Sequence, residues 1–200
     1  MSGIRPQETR RQISVALIGD SIRLHAEPWI KARLPPHFRV RSPAENCRSS
    51  WHVLAGIRNW VPPGVMDVVH INCGLHDIRR DPGQEKPVSS PREYVANLRR
   101  IFDYLANSAT SVIWATSTPV SEDLPNDLAM PRWHPDDLVA YNRASMDLAL
   151  GFGFRINDLH ARLSLVPADA LLMPDGVHFN HLGNELIGKH VAAAIQACRA

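Results

Sequence analysis

Ile13-Ser14-Val15-Ala16-Leu17-Ile18-Gly19-Asp20-Ser21 is a short apolar run closed by a polar turn. A run of this length, bounded by Gly-Asp-Ser, reads as a strand buried on both faces. Ile22 to Leu34 after it reads as a helix, stopped by Pro35-Pro36. Strand, polar turn and helix in that order is the opening of a βαβ unit. The rest of the chain repeats the alternation. Phe38–Arg41 reads as a weak strand, and Ser49 or Ser50 starts a helix running to Trp60 with Val53, Leu54, Ile57 and Val61 on one face. Asp67 to Asn72 is the third strand, closing at Cys73-Gly74. After a loop from Arg79 to Pro91, Val95, Leu98, Ile101, Phe102 and Leu105 fall at helical spacing within Arg92 to Ala106. Ser111 to Thr116 is the fourth strand, and a second long loop covers Ser117 to Pro135. A helix over Asp136 to Leu150, a strand over Phe154–Ile156, a short helix capped by Asp158 and a last helix over about Leu182 to Ala197 complete the pattern. Five short strands alternating with helices predict a parallel sheet sandwiched between helices.

Composition narrows the function classes. The chain has 200 residues, 44% hydrophobic and 21% charged, which is ordinary globular usage. With 22 basic and 20 acidic residues the formal net charge is +2, and nothing in that balance argues for nucleic acid or an anionic membrane. The expected organisation is a polar tail over residues 1–12 and a single domain over 13–200. The polar start, the absence of a long apolar stretch, and three cysteines (Cys47, Cys73, Cys198) without metal-like spacing read as a cytoplasmic protein with reduced thiols. No stretch approaches the roughly 18 apolar residues of a membrane span.

Ligands of open parallel sheets bind beyond the carboxyl ends of the strands, so the residues just after strands are the candidates for chemistry. Four polar groups stand out: Gly19-Asp20-Ser21, Asn46-Cys47-Arg48-Ser49-Ser50, Gly74-Leu75-His76-Asp77, and Asp175-Gly176-Val177-His178-Phe179-Asn180 before the last helix. Ser21, at a strand-to-helix turn, is either a plain helix cap or a nucleophile whose own N–H faces developing negative charge. Asp175 and His178 are three apart; if their loop folds back, they supply a base and the carboxylate that fixes its tautomer. Alone, Asp-x-x-His is equally a surface turn. A metal site on Asp175, His178 and His181 lacks a completing cluster, so no metal or cofactor is expected. Asp20 and Asp77 read as acceptors for backbone N–H groups in their turns. The remaining histidines, His25 and His70 among them, read as surface or core residues. Trp51 reads as core or half-buried.

Together, in this order, the blocks resemble the SGNH hydrolases, the GDSL esterase/lipase superfamily, across roughly Ile13 to Ala197. The resemblance implies a three-layer, flavodoxin-like α/β/α sandwich around a five-stranded parallel sheet. It also implies ester hydrolysis through an acyl-enzyme, with Ser21 as nucleophile, His178 as base and Asp175 as its orienting carboxylate. Two positions depart from the family pattern. His76 stands where Gly-x-Asn-Asp has an oxyanion-donating asparagine. Arg48 falls where a glycine N–H donates, with Ser49 the nearest rival. The implied oxyanion hole is therefore Ser21, Arg48 and His76. Trp133, His134 and Arg79 are candidates for contacting substrate from the loops. The expected partner is a small-molecule ester, of short-chain acetyl type on a sugar or small alcohol, since no long apolar segment offers a lipid-binding lid. The rival is an SGNH-fold carbohydrate-binding or scaffold module that has lost its chemistry.

Overall fold

The computed structural model describes residues 11–121 and 130–198. The first strand, β1 (Ile13–Ile18), is buried as its apolar run requires: Val15, Ala16, Leu17 and Ile18 are all at most 1% exposed. Burying each of the larger side chains contributes about 1.5–3 kcal/mol. β2 (Phe38–Arg41), β3 (Met66–Ile71), β4 (Ala109–Ala115) and β5 (Arg155–Asn157) join it in one sheet ordered β2-β1-β3-β4-β5. Every pair is parallel, in the register Ile13–Phe38, Val15–Val68, Val68–Ser111 and Ile113–Arg155.

Helices cover both faces. On one, α1 (Ser21–Arg33) packs against the long C-terminal α8 (His181–Ala197). Gly188 permits that approach, because a Cβ there would collide with Trp29. On the other face, α2 (Ser50–Trp60) packs on α4 (Pro91–Ala106), and α4 on α5 (Pro135–Gly151). α4 begins with a reciprocal capping box between Ser90 and Glu93 and has Pro91 in its first turn. The core closes around Trp114 on β4, with the Phe102 ring against its edge at 5.1 Å. His70 on β3 is buried with Asn157 beside its Nε2 at 3.1 Å, and burial lowers its pKa to about 4, so it stays neutral. Cys47 and Cys73 are buried free thiols, and Cys198 is partly exposed.

Sequence-predicted and observed elements agree to within one or two residues, with two exceptions. Four-residue helices, α3 (Leu75–Ile78) and α7 (Ala168–Leu171), occupy stretches without visible periodicity; the five-residue α6 (Leu159–Leu163) is the one capped by Asp158. Trp51 is 49% exposed, against the reading of it as core or half-buried; it follows the first residue of α2. The part of the second long loop over 122–129, and the tail over 1–10, lie outside the described residues. Among the described residues no helix is long and apolar enough to cross a membrane.

Strand order β2-β1-β3 puts the reversal of winding between β1 and β3. In open parallel sheets ligands bind at such a point, beyond the carboxyl ends of the strands. The turns that follow β1 and β3 therefore face each other, and Asn72 N–H extends the ladder by bonding Ile18 O at 3.0 Å.

Candidate active site

Asp20 lies two residues beyond β1 and caps α1, its Oδ1 accepting from Ile22 N–H at 3.0 Å. This places Ser21 as the first residue of the helix. The Ser21 N–H has no partner among the described residues. Asp20 is buried and its other oxygen is unpaired, so burial pushes its carboxyl up to about 6 against the pull of the Ile22 N–H and of the His178 and Arg23 charges.

The segment before α8 does fold back. Met173 N–H bonds His178 O at 2.7 Å, and Gly176 turns the chain with φ +69°. Asp175 Oδ1 accepts the N–H groups of Val177 and His178 at 3.0 and 2.9 Å, and its Oδ2 lies 2.6 Å from His178 Nδ1. Burial raises the Asp175 carboxyl, but these hydrogen bonds outweigh it and hold the group below its ordinary value. An ionised carboxylate only accepts, so the proton sits on Nδ1 and Nε2 is left to accept. Ser21 Oγ stands 2.9 Å from that Nε2. Ser21, His178 and Asp175 thus form one continuous chain of hydrogen bonds, with Ser21 and His178 157 positions apart. The His181 ring packs edge-on against Trp29 at 4.6 Å, on α1 rather than beside Asp175.

The second block is held by a residue the sequence did not single out. Arg23, buried on α1, donates to Glu27, to Pro43 O at 3.0 Å and to Glu45 O at 2.8 Å, pinning the segment against the site. Cys47 N–H closes the same loop onto Gly19 O at 3.2 Å. Arg48 has φ +53°, the one described non-glycine residue with positive φ. Its N–H is taken by Asn46 Oδ1 at 2.8 Å. The Ser50 N–H goes to Asp77 Oδ2 at 2.8 Å. Between them, the N–H of Ser49 at the cap of α2 has no partner among the described residues. Of the two positions weighed in the sequence, Ser49 presents the available donor and Arg48 does not.

Gly74 opens the third block at φ +154°, and a Cβ there would collide with Ser117 Oγ, so only glycine fits. His76 follows on α3. Arg79 Nη1 lies 3.5 Å from its Nδ1, and an arginine has nothing to accept with. The Arg79 donor therefore favours the tautomer with a bare Nδ1 and the proton on Nε2. Arg79 is itself paired with Asp81, its Nε 2.8 Å from Oδ1. Burial, then the positive charges of Arg79 and Arg48 and smaller contributions from His52 and His178, lower His76 to about 4. It is neutral near pH 7. Asp77 is fully buried and accepts from outside its own turn: it takes Ser50 N–H, Ser50 Oγ–H and Ser89 Oγ–H.

The loop candidates divide. Trp133 Nε1 donates to Leu75 O at 2.8 Å, tying its loop to the residue before His76. Arg79 contacts His76. His134 is exposed at the cap of α5 and borders a cleft of about 600 Å³ with Arg80, Asp81 and Arg132. His25 was passed over in the sequence. Its ring lies 5.4 Å from that of His178, and the available signal was its place one helical turn after Ser21.

Solved structures with this arrangement of layers cover nearly the whole chain. A lipase/acylhydrolase from Enterococcus faecalis superposes with TM-score 0.74 at 17% identity, over 93% of this chain and 96% of its own. The acetyl xylan esterase AlAXEase gives 0.72 at 17%, over 92% and 100%. A Slackia heliotrinireducens protein described as an SGNH hydrolase gives 0.70 at 18%, over 92% and 100%. The chain has the SGNH hydrolase fold. No protein-family model matches it, and no curated protein matches it by sequence. The likeness thus lies in the arrangement of the backbone, at 17–18% identity in these three superpositions.

Proposed function

We propose that the protein is a serine hydrolase of carboxylic esters, acting through an acyl-enzyme on short-chain esters of a sugar or small alcohol. The observation that carries this reading is the Ser21–His178–Asp175 chain at 2.9 and 2.6 Å, at the crevice of an SGNH fold. Ser21 Oγ attacks the ester carbonyl carbon while its proton passes to His178 Nε2. Asp175 holds the imidazole in the accepting tautomer and stabilises the imidazolium that forms. Collapse of the tetrahedral intermediate expels the alcohol, which takes the proton from His178. Water, deprotonated by the same nitrogen, then releases the acid and restores Ser21.

The developing oxyanion needs donors already aimed at it. Those we assign are the N–H groups of Ser21 and Ser49, each at a helix N-terminus, and His76 Nε2–H. Support for a short acyl group comes from the acetyl xylan esterase among the structural neighbours. The test is a p-nitrophenyl ester series from acetate to long acyl chains. Turnover is expected to fall with chain length; no turnover on any member removes the proposal.

His76 carries a separate expectation. Removing one oxyanion donor costs about 10²–10³ in turnover. His76→Ala is expected to lose that much kcat with little change in KM, and His76→Asn, which restores an N–H donor, to recover most of it. Unchanged kcat in His76→Ala excludes the role.

A further inference from the structure

At the mouth of the proposed esterase site stands a positive charge with no answering negative one. Arg48 is exposed, and no carboxylate among the described residues lies within ion-pair distance of its guanidinium. Arg23, which clamps the same loop, is matched with Glu27, and Arg79, beside His76, with Asp81. The nearby carboxylates are equally committed. Asp175 serves His178, Asp77 serves Ser50 and Ser89, and Glu45 accepts from Trp60 Nε1 at 3.1 Å. Asp20 lies buried beneath the turn.

The backbone of Arg48 is also held in place. Its backbone is in the left-handed region, which costs a residue with a Cβ roughly 1 kcal/mol or more. Asn46 Oδ1 on its N–H, Cys47 N–H on Gly19 O and the Arg23 clamp on Pro43 and Glu45 hold it there. Gly19 is two residues from Ser21, so the same turn ties the backbone of Arg48 to that of the nucleophile. The positive field reaches the site, since Arg48 contributes to the lowered proton affinity of His76.

Resting on the esterase reading, we infer that the site selects esters bearing an anionic group, carboxylate or phosphate, beside the scissile bond, with the Arg48 guanidinium binding that group. A planar guanidinium pairs bidentately with either oxyanion.

Two matched pairs of esters test this, one with the charge on the alcohol side and one on the acyl side: p-acetoxybenzoate against its methyl ester, and the mono-p-nitrophenyl ester of adipic acid against p-nitrophenyl hexanoate. Each kcat/KM is divided by the rate with hydroxide. In at least one pair the anionic ester is expected to be favoured by about tenfold, and the preference to shrink in 0.5 M salt, as a partly exposed charge contact does. Arg48→Gly, which suits the positive φ and keeps the backbone N–H, is expected to bring the ratio close to one, and Arg48→Lys to keep part of it. Neutral esters favoured in both pairs, or a ratio unmoved by Arg48→Gly and by salt, overturns the inference while leaving the esterase standing. Hydrolysis of none of the four esters overturns the esterase reading and the inference with it.

Discussion

Ser21→Ala is expected to lower kcat/KM for p-nitrophenyl acetate by on the order of 10⁴-fold or more. The substitution removes one oxygen and leaves the surroundings standing. Asp20 still caps α1, the Ser21 N–H remains, and His178 keeps its bond to Asp175. What survives is the rate that oriented donors alone can give. The other serines near the site are not replacements: Ser50 and Ser89 are fully buried and bound to Asp77, and Ser49 Oγ is engaged with His52 Nδ1 at 2.9 Å. Labelling by an organophosphonate, which needs a serine activated by a base, is expected in the wild type and absent in Ser21→Ala. Retention of more than a hundredth of the activity would place the nucleophile elsewhere.

The fold was legible because parallel strands buried on both faces read as unbroken apolar runs. Ile13–Ile18 and Phe38–Arg41 fall on the observed strands residue for residue. α3 and α7 were not legible, since four residues show no period. The site was half legible for a different reason. The identities of Ser21, Asp175 and His178 stand in the sequence, but their meeting depends on Met173 N–H reaching His178 O, a contact of loop geometry alone. Which N–H of the second block is available turns on where the Asn46 side chain points, so Arg48 and Ser49 could not be told apart by spacing. Arg23 looked like one more charged residue of a helix, yet it is buried at 7% exposure and organises the loop opposite. A proximity across the fold, such as that of His25 to His178, has no trace in local pattern unless the partner is already known.

Asp77 ties the second block, the third block and the loop before α4 at a single carboxylate, and its loss is expected to be the costliest for stability. Burial pushes the carboxyl up, while hydrogen bonds from Ser50 and Ser89 pull it back. Asp77→Ala strands three buried donors at once: Ser50 N–H, Ser50 Oγ–H and Ser89 Oγ–H. Each unmet donor costs about 1–3 kcal/mol, so a destabilisation of about 3–5 kcal/mol follows once the serine hydroxyls find partial substitutes. Asn97 offers no substitute at Ser50, because it turns its Nδ2 donor, not an acceptor, toward Ser50 Oγ. Asp77→Asn keeps one accepting oxygen and is expected to recover less than half. Urea unfolding at neutral pH measures this as a lower midpoint at unchanged slope. A loss below about 1 kcal/mol would mean that water reaches the three donors and that the pocket is open where it is now closed. The same carboxylate fixes the start of α2, and with it the Ser49 N–H, and it adjoins His76 in the chain. Asp77→Ala assayed at a temperature where it remains folded is therefore expected to lose turnover more than substrate affinity, which a purely remote loss of stability would not produce.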